Sequence, residues 1–493
     1  MSTRNGSSSG TPTVAIVGAG FGGIGLGIQL KQAGIASFTI FEKGPGVGGV
    51  WRDNSYPGLT VDVPSHLYQY SFEPNHEWTR RFPLRDEILA YLERCATKYA
   101  LRAHIRLSTE VASADFDEER GRWLIRLVGG EEVEADFLVT ATGQLSRPSY
   151  PKIPGLDRFE GELFHSARWN HDYDLRGKRV AAIGTGASAV QYIPEIAPLV
   201  ERLDLFQRTP GWVIPKPDRP YRPREKALFR RVPLIVRISR RLTFNRFEFF
   251  TFAMTRGYWL LRPYELGYKR RLKKEIPDPE LRPKLVPNYP MGCKRVLISN
   301  EYLPALARPN VDVITERIEE VTQRGVRTAD GVEREHDALI LGTGFAAHEF
   351  LAPMAIRGRG GRDLNDAWRD GADAYLGLAV AGFPNMFMLY GPNTNLGAGS
   401  IITMLESQIG YVVQAVQQLR RTGARWMDVR DDVQSAFNEE VQRRLADTVW
   451  NAGCNSWYRN EAGKVTNNWT GFVTEYRRRT RRPDPGDFRL ARG

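Results

Sequence analysis

Two stretches of the chain share one alternation of apolar and polar positions. Each begins with a short unbroken apolar run, passes through a glycine-rich turn into a longer run of helical period, and closes on a second short apolar run. The first is "TVAIVGAGFGGIGLGIQLKQAGIASFTIFEKG" and the second is "KRVAAIGTGASAVQYIPEIAPLVERLDLFQRTP". Four or five consecutive apolar residues bounded by glycine predict a strand buried on both faces, as in a parallel sheet covered by helices. Two such strand–helix–strand units predict an α/β protein with two Rossmann-like domains. Two more apolar runs end in glycine turns, "DFLVTATGQ" at 136–144 and "DALILGTGF" at 337–345. They read as points where the chain crosses between the two domains. Between the second unit and the later crossing lies "FNRFEFFTFAMTRGYWLL", a helix-like aromatic stretch.

The turns carry chemistry. Gly18-x-Gly20-x-x-Gly23 follows the first strand, and the second strand ends in Glu42. Gly18 permits the tight turn, Gly20 lets the backbone approach a pyrophosphate, and Gly23 allows close helix–strand packing. The helix behind them offers free N–H groups to that pyrophosphate, while Glu42 suits a ribose 2′-hydroxyl. The second unit reads Gly184-x-Gly186-x-x-Ala189, and its closing strand leads into Arg208 and Thr209 instead of an acid. An arginine there suits a 2′-phosphate, so NADPH is expected over NADH. Two dinucleotide sites in one chain imply a flavin and a nicotinamide, one delivering hydride to the other.

Composition narrows the picture. A chain of 493 residues exceeds one ordinary core, so two or three domains are expected. The first dozen residues, "MSTRNGSSSGTP", read as a disordered tail without the apolar run of a signal peptide. No apolar run approaches the ~20 residues of a membrane span. Cys95, Cys293 and Cys454 are scattered without a CxxC pair, which argues for a reducing cytoplasm and against a disulfide framework or a metal site. Residues 219–274 hold 17 Lys/Arg against three acids, a net +14 that exceeds the +12 of the whole chain. The reading taken is a packed helical insertion with a solvated basic face. A basic rim attracting an anionic cofactor or acidic substrate and a membrane-surface helix stay open. No nucleic-acid motif accompanies the charge.

The link between the units, "FEGELFHSARWN", carries Phe159, Gly161, His165 and Trp169 at fixed offsets. These residues resemble the F-x-G-x-x-x-H-x-x-x-W fingerprint of the type I Baeyer–Villiger monooxygenases, with Asn170 where the family has Pro or Asp. His165 is read as structural, setting the domain angle through backbone hydrogen bonds, and Trp169 as a packing anchor between domains. "GVWRDNSYPGLTVD" (49–62) is similar to a second family motif, and "GCKRVLISNEYLPAL" to a third. The resemblance implies that Val50, Trp51, Arg52 and Asp53 border FAD. It further implies that Tyr68 and Val111 contact FAD, that Asp62 approaches both cofactors, and that Lys294 binds the 2′-phosphate. By the same resemblance Arg295 reaches the flavin's reactive edge, Trp457 of "NSWY" stacks near the nicotinamide, and "GPNTNLGAGSI" starts a helix over the flavin's pyrimidine end.

The implied activity is an NADPH- and O2-consuming FAD monooxygenase that works through a flavin C4a-peroxide. It inserts one oxygen beside a ketone carbonyl to give an ester or lactone. Arg295 would hold the peroxide anionic, with Asp62 orienting it. The alternative is oxygenation of sulfur or nitrogen in a small molecule. A disulfide reductase and a non-enzymatic flavoprotein are set aside, the first for want of a redox cysteine pair. The implied domains are an FAD-binding part at 13–147, an NADP-binding domain at 148–345 carrying the basic helical insertion at about 219–290, and a second FAD-binding part at 346–493.

Overall fold

A computed structural model describes residues 12–454, 456–460 and 462–492, so all but the last residue of the expected tail lies outside the described residues. The chain builds two five-stranded parallel sheets. One runs, in spatial order, Met386–Met388, Phe137–Thr140, Val14–Val17, Phe38–Phe41 and Ile105–Arg106. The other runs Val311–Ile314, Arg202–Phe206, Arg179–Ile183, Ala338–Leu341 and Glu162–His165. All strands of the second sheet lie, in sequence, between the fourth and fifth strands of the first to be laid down. The fingerprint strands are central in both sheets and their side chains are buried on both faces, which is why they read as unbroken apolar runs.

The crossing strands explain the first glycine of each fingerprint. Val14–Val17 pairs with Phe137–Thr140, and Arg179–Ile183 pairs with Ala338–Leu341. At the ends of these pairs a Cβ on Gly18 would sit 2.6 Å from the carbonyl oxygen of Ala141, and one on Gly184 2.4 Å from that of Gly342. Both glycines also hold positive φ, +105° and +111°. Gly23 serves packing, since a Cβ there would overlap the Gly18 carbonyl.

Two expectations are corrected. The connecting stretch is more than a link: Glu162–His165 is itself the edge strand of the second sheet, with His165 paired to Leu341. The Trp169 ring packs on Phe164 and Tyr192. The cysteines are not all isolated, because Cys293 and Cys454, 161 residues apart, form a disulfide; only Cys95 is free. Spacing in sequence could not show a pair made by two segments that meet only in the fold. Other parts of the stretch behave as read. His165 Nδ1 accepts from the Ala167 N–H at 3.0 Å, and Asn170 Oδ1 accepts from the Asp172 N–H at 3.0 Å, closing the turn that an Asp would make. Gly161 is required because a Cβ would meet the Asp337 carbonyl oxygen at 2.6 Å.

The basic insertion is helical: Pro223–Arg231, Pro233–Thr255, Arg262–Glu275 and Leu281–Lys284. Among the described residues no helix is long and apolar enough to cross a membrane.

Candidate active site

One cavity of about 1440 Å3 runs along the carboxyl ends of both parallel sheets and through the seam between them. It is lined by Gly18 and Gly20 on one side and by Gly184 and Gly186 on the other, the edge where open parallel sheets bind ligands. A Cβ on Gly186 would meet nothing within 4 Å, so a side chain there would project into the open cradle. The helix Phe21–Gln32 starts directly behind Gly20 with no acid in its first turn. Its free N–H groups therefore carry partial positive charge towards the cavity.

Glu42 ends its strand buried at the cavity wall, 5% exposed. Its carboxylate accepts from the Ala19 and Gly44 N–H groups, both at 2.8 Å, and from Arg52 at 3.2 Å. Val50, Trp51, Asp53, Tyr68 and Val111 also line the cavity. Trp51 Nε1 donates to the Tyr68 hydroxyl at 3.1 Å, fixing both rings. Arg52 is not on the cavity wall; it turns to Glu42, Asp53 and the Gly46 carbonyl, bracing the turn from behind. Ala189 is likewise a packing residue, fully buried in the helix Ala189–Ile196.

On the second side Arg208, Thr209 and Lys294 stand together at the wall. Lys294 Nζ donates to Thr209 Oγ1 at 2.8 Å and lies 4.8 Å from the centre of the Tyr289 ring. Burial first, and the nearby Arg208 guanidinium second, push the Lys294 pKa down. Two cations held this close without a carboxylate between them form an anion site.

The seam holds the one ion pair on the cavity wall that joins the two predicted halves of the site. Asp62 Oδ2 accepts from Arg295 Nε at 2.9 Å and from Nη2. The Asp62 charge, working against burial, raises the Arg295 pKa above its ordinary value, so the guanidinium is a permanent cation. Its side chain keeps 29% of its surface open. Nη1 has no protein hydrogen-bond partner among the described residues, leaving a donor available at the cavity.

Several residues here carried no signal in the sequence. Tyr390 lines the cavity at positive φ, +66°, and donates to Asn395 Oδ1 at 2.7 Å. The Tyr458 hydroxyl is buried without a hydrogen-bond partner, and burial pushes its pKa up to about 12. Gln144 donates to the Tyr390 carbonyl at 3.1 Å and keeps an unpartnered Oε1 at the wall. Gln191 crosses the seam, giving Nε2 to the Thr60 carbonyl at 2.8 Å and accepting from the Tyr56 hydroxyl at 3.1 Å. Lys216 crosses it too, reaching Thr60 Oγ1 at 3.1 Å, and burial pulls its pKa down to about 8. Residues 131 and 156 positions from Thr60 could have been assigned to this seam only from the fold.

Beyond Cys454, Trp457 stands at the cavity wall, with the Tyr458 ring tilted against it at 4.7 Å. The disulfide ties Cys454 to Cys293, next to Lys294 and Arg295. Neither sulfur-bearing residue lines the cavity. The helix Ile401–Thr422 begins at the wall, where Gly399 and Ile401 are exposed to the cavity and the Ser400 hydroxyl is buried without a partner. These features fit two dinucleotides. The two glycine cradles face one cavity, and the close pair Arg208 and Lys294 stands at the second.

Comparison with known proteins gives one answer. The family model described as pyridine nucleotide-disulphide oxidoreductase matches residues 15–232. The chain is 46% identical over 479 residues to a Baeyer-Villiger monooxygenase of Pseudomonas aeruginosa, covering 97% of this chain and 91% of that protein. Among solved structures it is similar to cyclohexanone monooxygenase in its closed form, with a TM-score of 0.88 at 30% identity over 99% of this chain and all of that one. It is equally similar to OTEMO in complex with FAD and NADP, with a TM-score of 0.88 at 30% identity over 98% of this chain and all of that one.

Proposed function

The chain belongs to the Baeyer–Villiger monooxygenase family, and from that premise we propose how its own residues carry out an FAD-dependent, NADPH- and O2-consuming oxygenation of a ketone. Bound FAD, reduced by NADPH and reacting with O2, supplies the oxygen atom that enters beside the carbonyl. The first cradle, Gly18 to Glu42 with Trp51, Asp53, Tyr68 and Val111, holds FAD. The second, Gly184 and Gly186 with Thr209, holds the nicotinamide coenzyme, and Arg208 and Lys294 take its 2′-phosphate. Trp457 borders the nicotinamide.

The observation that carries the reading is Arg295 at the seam, paired to Asp62 through one oxygen and open on its other edge. A cation fixed there would stabilise negative charge developing beside the substrate carbonyl, and it needs no reorganisation to do so. At about 4 Å and an effective dielectric of about 20 the attraction is on the order of 4 kcal/mol. That would be worth roughly a thousandfold in rate if realised mainly in the transition state. Asp62 orients the guanidinium through Nε and Nη2 so that Nη1 faces the cavity. Tyr390 and Trp457 stand on the same wall and limit water, with Tyr458 buried behind.

The substrate is a small-molecule ketone. We assign the enzyme to the cytoplasm, where NADPH is supplied. A panel of cyclic, linear and steroidal ketones, with sulfides as controls, tests the reading by mass spectrometry after aerobic turnover with NADPH. A gain of one oxygen on ketones as esters or lactones supports it. Oxygenated sulfides with no ester from any ketone would overturn it.

A further inference from the structure

We propose that the outer face of the helical insertion docks on an anionic lipid bilayer, lying in the plane of the headgroups. Of the sixteen large apolar side chains exposed among the described residues, eleven lie between Leu228 and Leu266. Scattered exposed apolar residues are ordinary, but a concentration in one element marks a contact surface.

The helix Pro233–Thr255 is amphipathic in the wrong sense for a solvated surface. Leu234, Ile238, Leu242 and Phe249 are 58%, 50%, 65% and 49% exposed, while Val236, Phe244, Thr251 and Met254 are buried. At about 100° per residue those four exposed positions and Phe252 fall within about 80° of arc, on the side away from the buried set. The helix is about 34 Å long at about 1.5 Å per residue, so the stripe is an extended face. The turn that follows exposes Tyr258 and Trp259, the latter by 62%. Those two residue types suit the boundary between headgroups and acyl chains.

Charge selects the occupant. Arg237, Arg241 and Arg246 are exposed beside the stripe, and none pairs with an acid among the described residues. Two of the three acids within 219–274 are spent inside the protein: Glu248 accepts from the Val473 N–H and Glu265 from the Met291 N–H. The third, Glu225, pairs with Arg219. A second copy meeting this face with its own would set Arg237, Arg241 and Arg246 against their own copies. Lipid phosphates neutralise arginine while the acyl boundary accepts leucine and phenylalanine, which matches both halves of the pattern.

The test is co-sedimentation of the full-length, flavin-loaded protein with vesicles of phosphatidylcholine alone or mixed with phosphatidylglycerol. Binding to the mixed vesicles is expected to be at least about tenfold stronger than to phosphatidylcholine. It should fall about tenfold when ionic strength is raised until the screening length is about 3 Å. The triple variant Ile238→Asp, Leu242→Asp, Trp259→Asp should lose binding at least tenfold while its flavin content and NADPH oxidation in solution stay at wild-type values. Arg237→Glu with Arg241→Glu keeps the apolar face and should lose binding to the mixed vesicles to a similar degree. Absence of pelleting with mixed vesicles, equal pelleting with both compositions, or unchanged binding by both variants overturns the proposal. So does a wild-type oligomer that the triple variant splits in sedimentation velocity, since the face is then covered by protein.

Discussion

Lys294 carries the coenzyme choice in its most local form. Its ammonium is tied to Thr209, lies over Tyr289 and stands near Arg208, with no acid to satisfy it. A charge-assisted hydrogen bond to a 2′-phosphate is worth about 1.5–3 kcal/mol. Lys294→Ala should therefore raise the KM for NADPH about ten- to a hundredfold and leave that for NADH within about twofold. Steady-state kinetics with both coenzymes checks this, and equal losses with both would move the 2′-phosphate elsewhere. At this scale the sequence was informative wherever chemistry and spacing coincide. Gly18, Gly184 and Glu42 stand where strand, turn and helix follow in order, so their places could be read directly. The direction of the Arg52 side chain, set by Glu42 and Asp53, could not be read from membership of a motif. Tyr390, Tyr458, Gln144 and Lys216 were invisible, since each acquires its neighbours from segments far off in the chain.

Two elements carry testable consequences of their own. The insertion is pinned to the first unit through His66, whose Nδ1 shares a hydrogen bond with Ser239 Oγ at 2.9 Å and whose ring stacks on Tyr221 and meets Phe229 edge-on. Burial, reinforced by His76 and Arg81, lowers its pKa from 6.5 to about 4. Between those values the unfolded segment binds a proton that the docked one refuses. The contribution is therefore full above about 6.5 and is lost as pH falls towards 4. Protection of residues 223–255 against hydrogen exchange, corrected for the intrinsic rate at each pH, should fall between pH 7 and 5, and His66→Gln should flatten that dependence; a helix equally protected at both pH values would contradict it.

The second element is Cys454 with residues 456–460, tied to Cys293 by the disulfide. Cys454→Ser, or reduction by dithiothreitol, should raise the KM for NADPH several-fold while FAD stays bound, because the tether carries Trp457 to the cavity wall. Unchanged kinetics would show that packing alone holds the segment. The strands around both cradles were legible as buried apolar runs. The strand Glu162–His165 was not, because polar residues and a histidine at a sheet edge look like a connection. The helical period of the insertion was plain as well, but periodicity identifies a stripe without saying which side meets the core.

At the scale of the whole molecule, two parallel sheets turn their carboxyl edges towards one cavity, and the pair Asp62–Arg295 joins the two sides at its wall. Asp62 comes from the loop between the first sheet's second and third sequential strands. Arg295 comes from the segment after the insertion, 233 residues later. The two cradles could be assigned from sequence; their convergence on Arg295 is a property of the fold. If the account is right, hydride delivery and oxygen insertion depend differently on this residue. Arg295→Ala leaves both glycine cradles, Arg208 and Lys294 untouched, so FAD should remain bound and NADPH should still be oxidised in air. What fails is the stabilisation of negative charge at the reacting oxygen. The decisive measurement is the ratio of ester formed to NADPH consumed, on a ketone the wild type accepts, for Arg295→Ala against wild type. The account predicts a ratio near one for the wild type and near zero for the variant, with hydrogen peroxide released about one for one with NADPH. An Arg295→Ala enzyme that still makes ester within about threefold of the wild-type rate, less than about 1 kcal/mol in barrier, would contradict it.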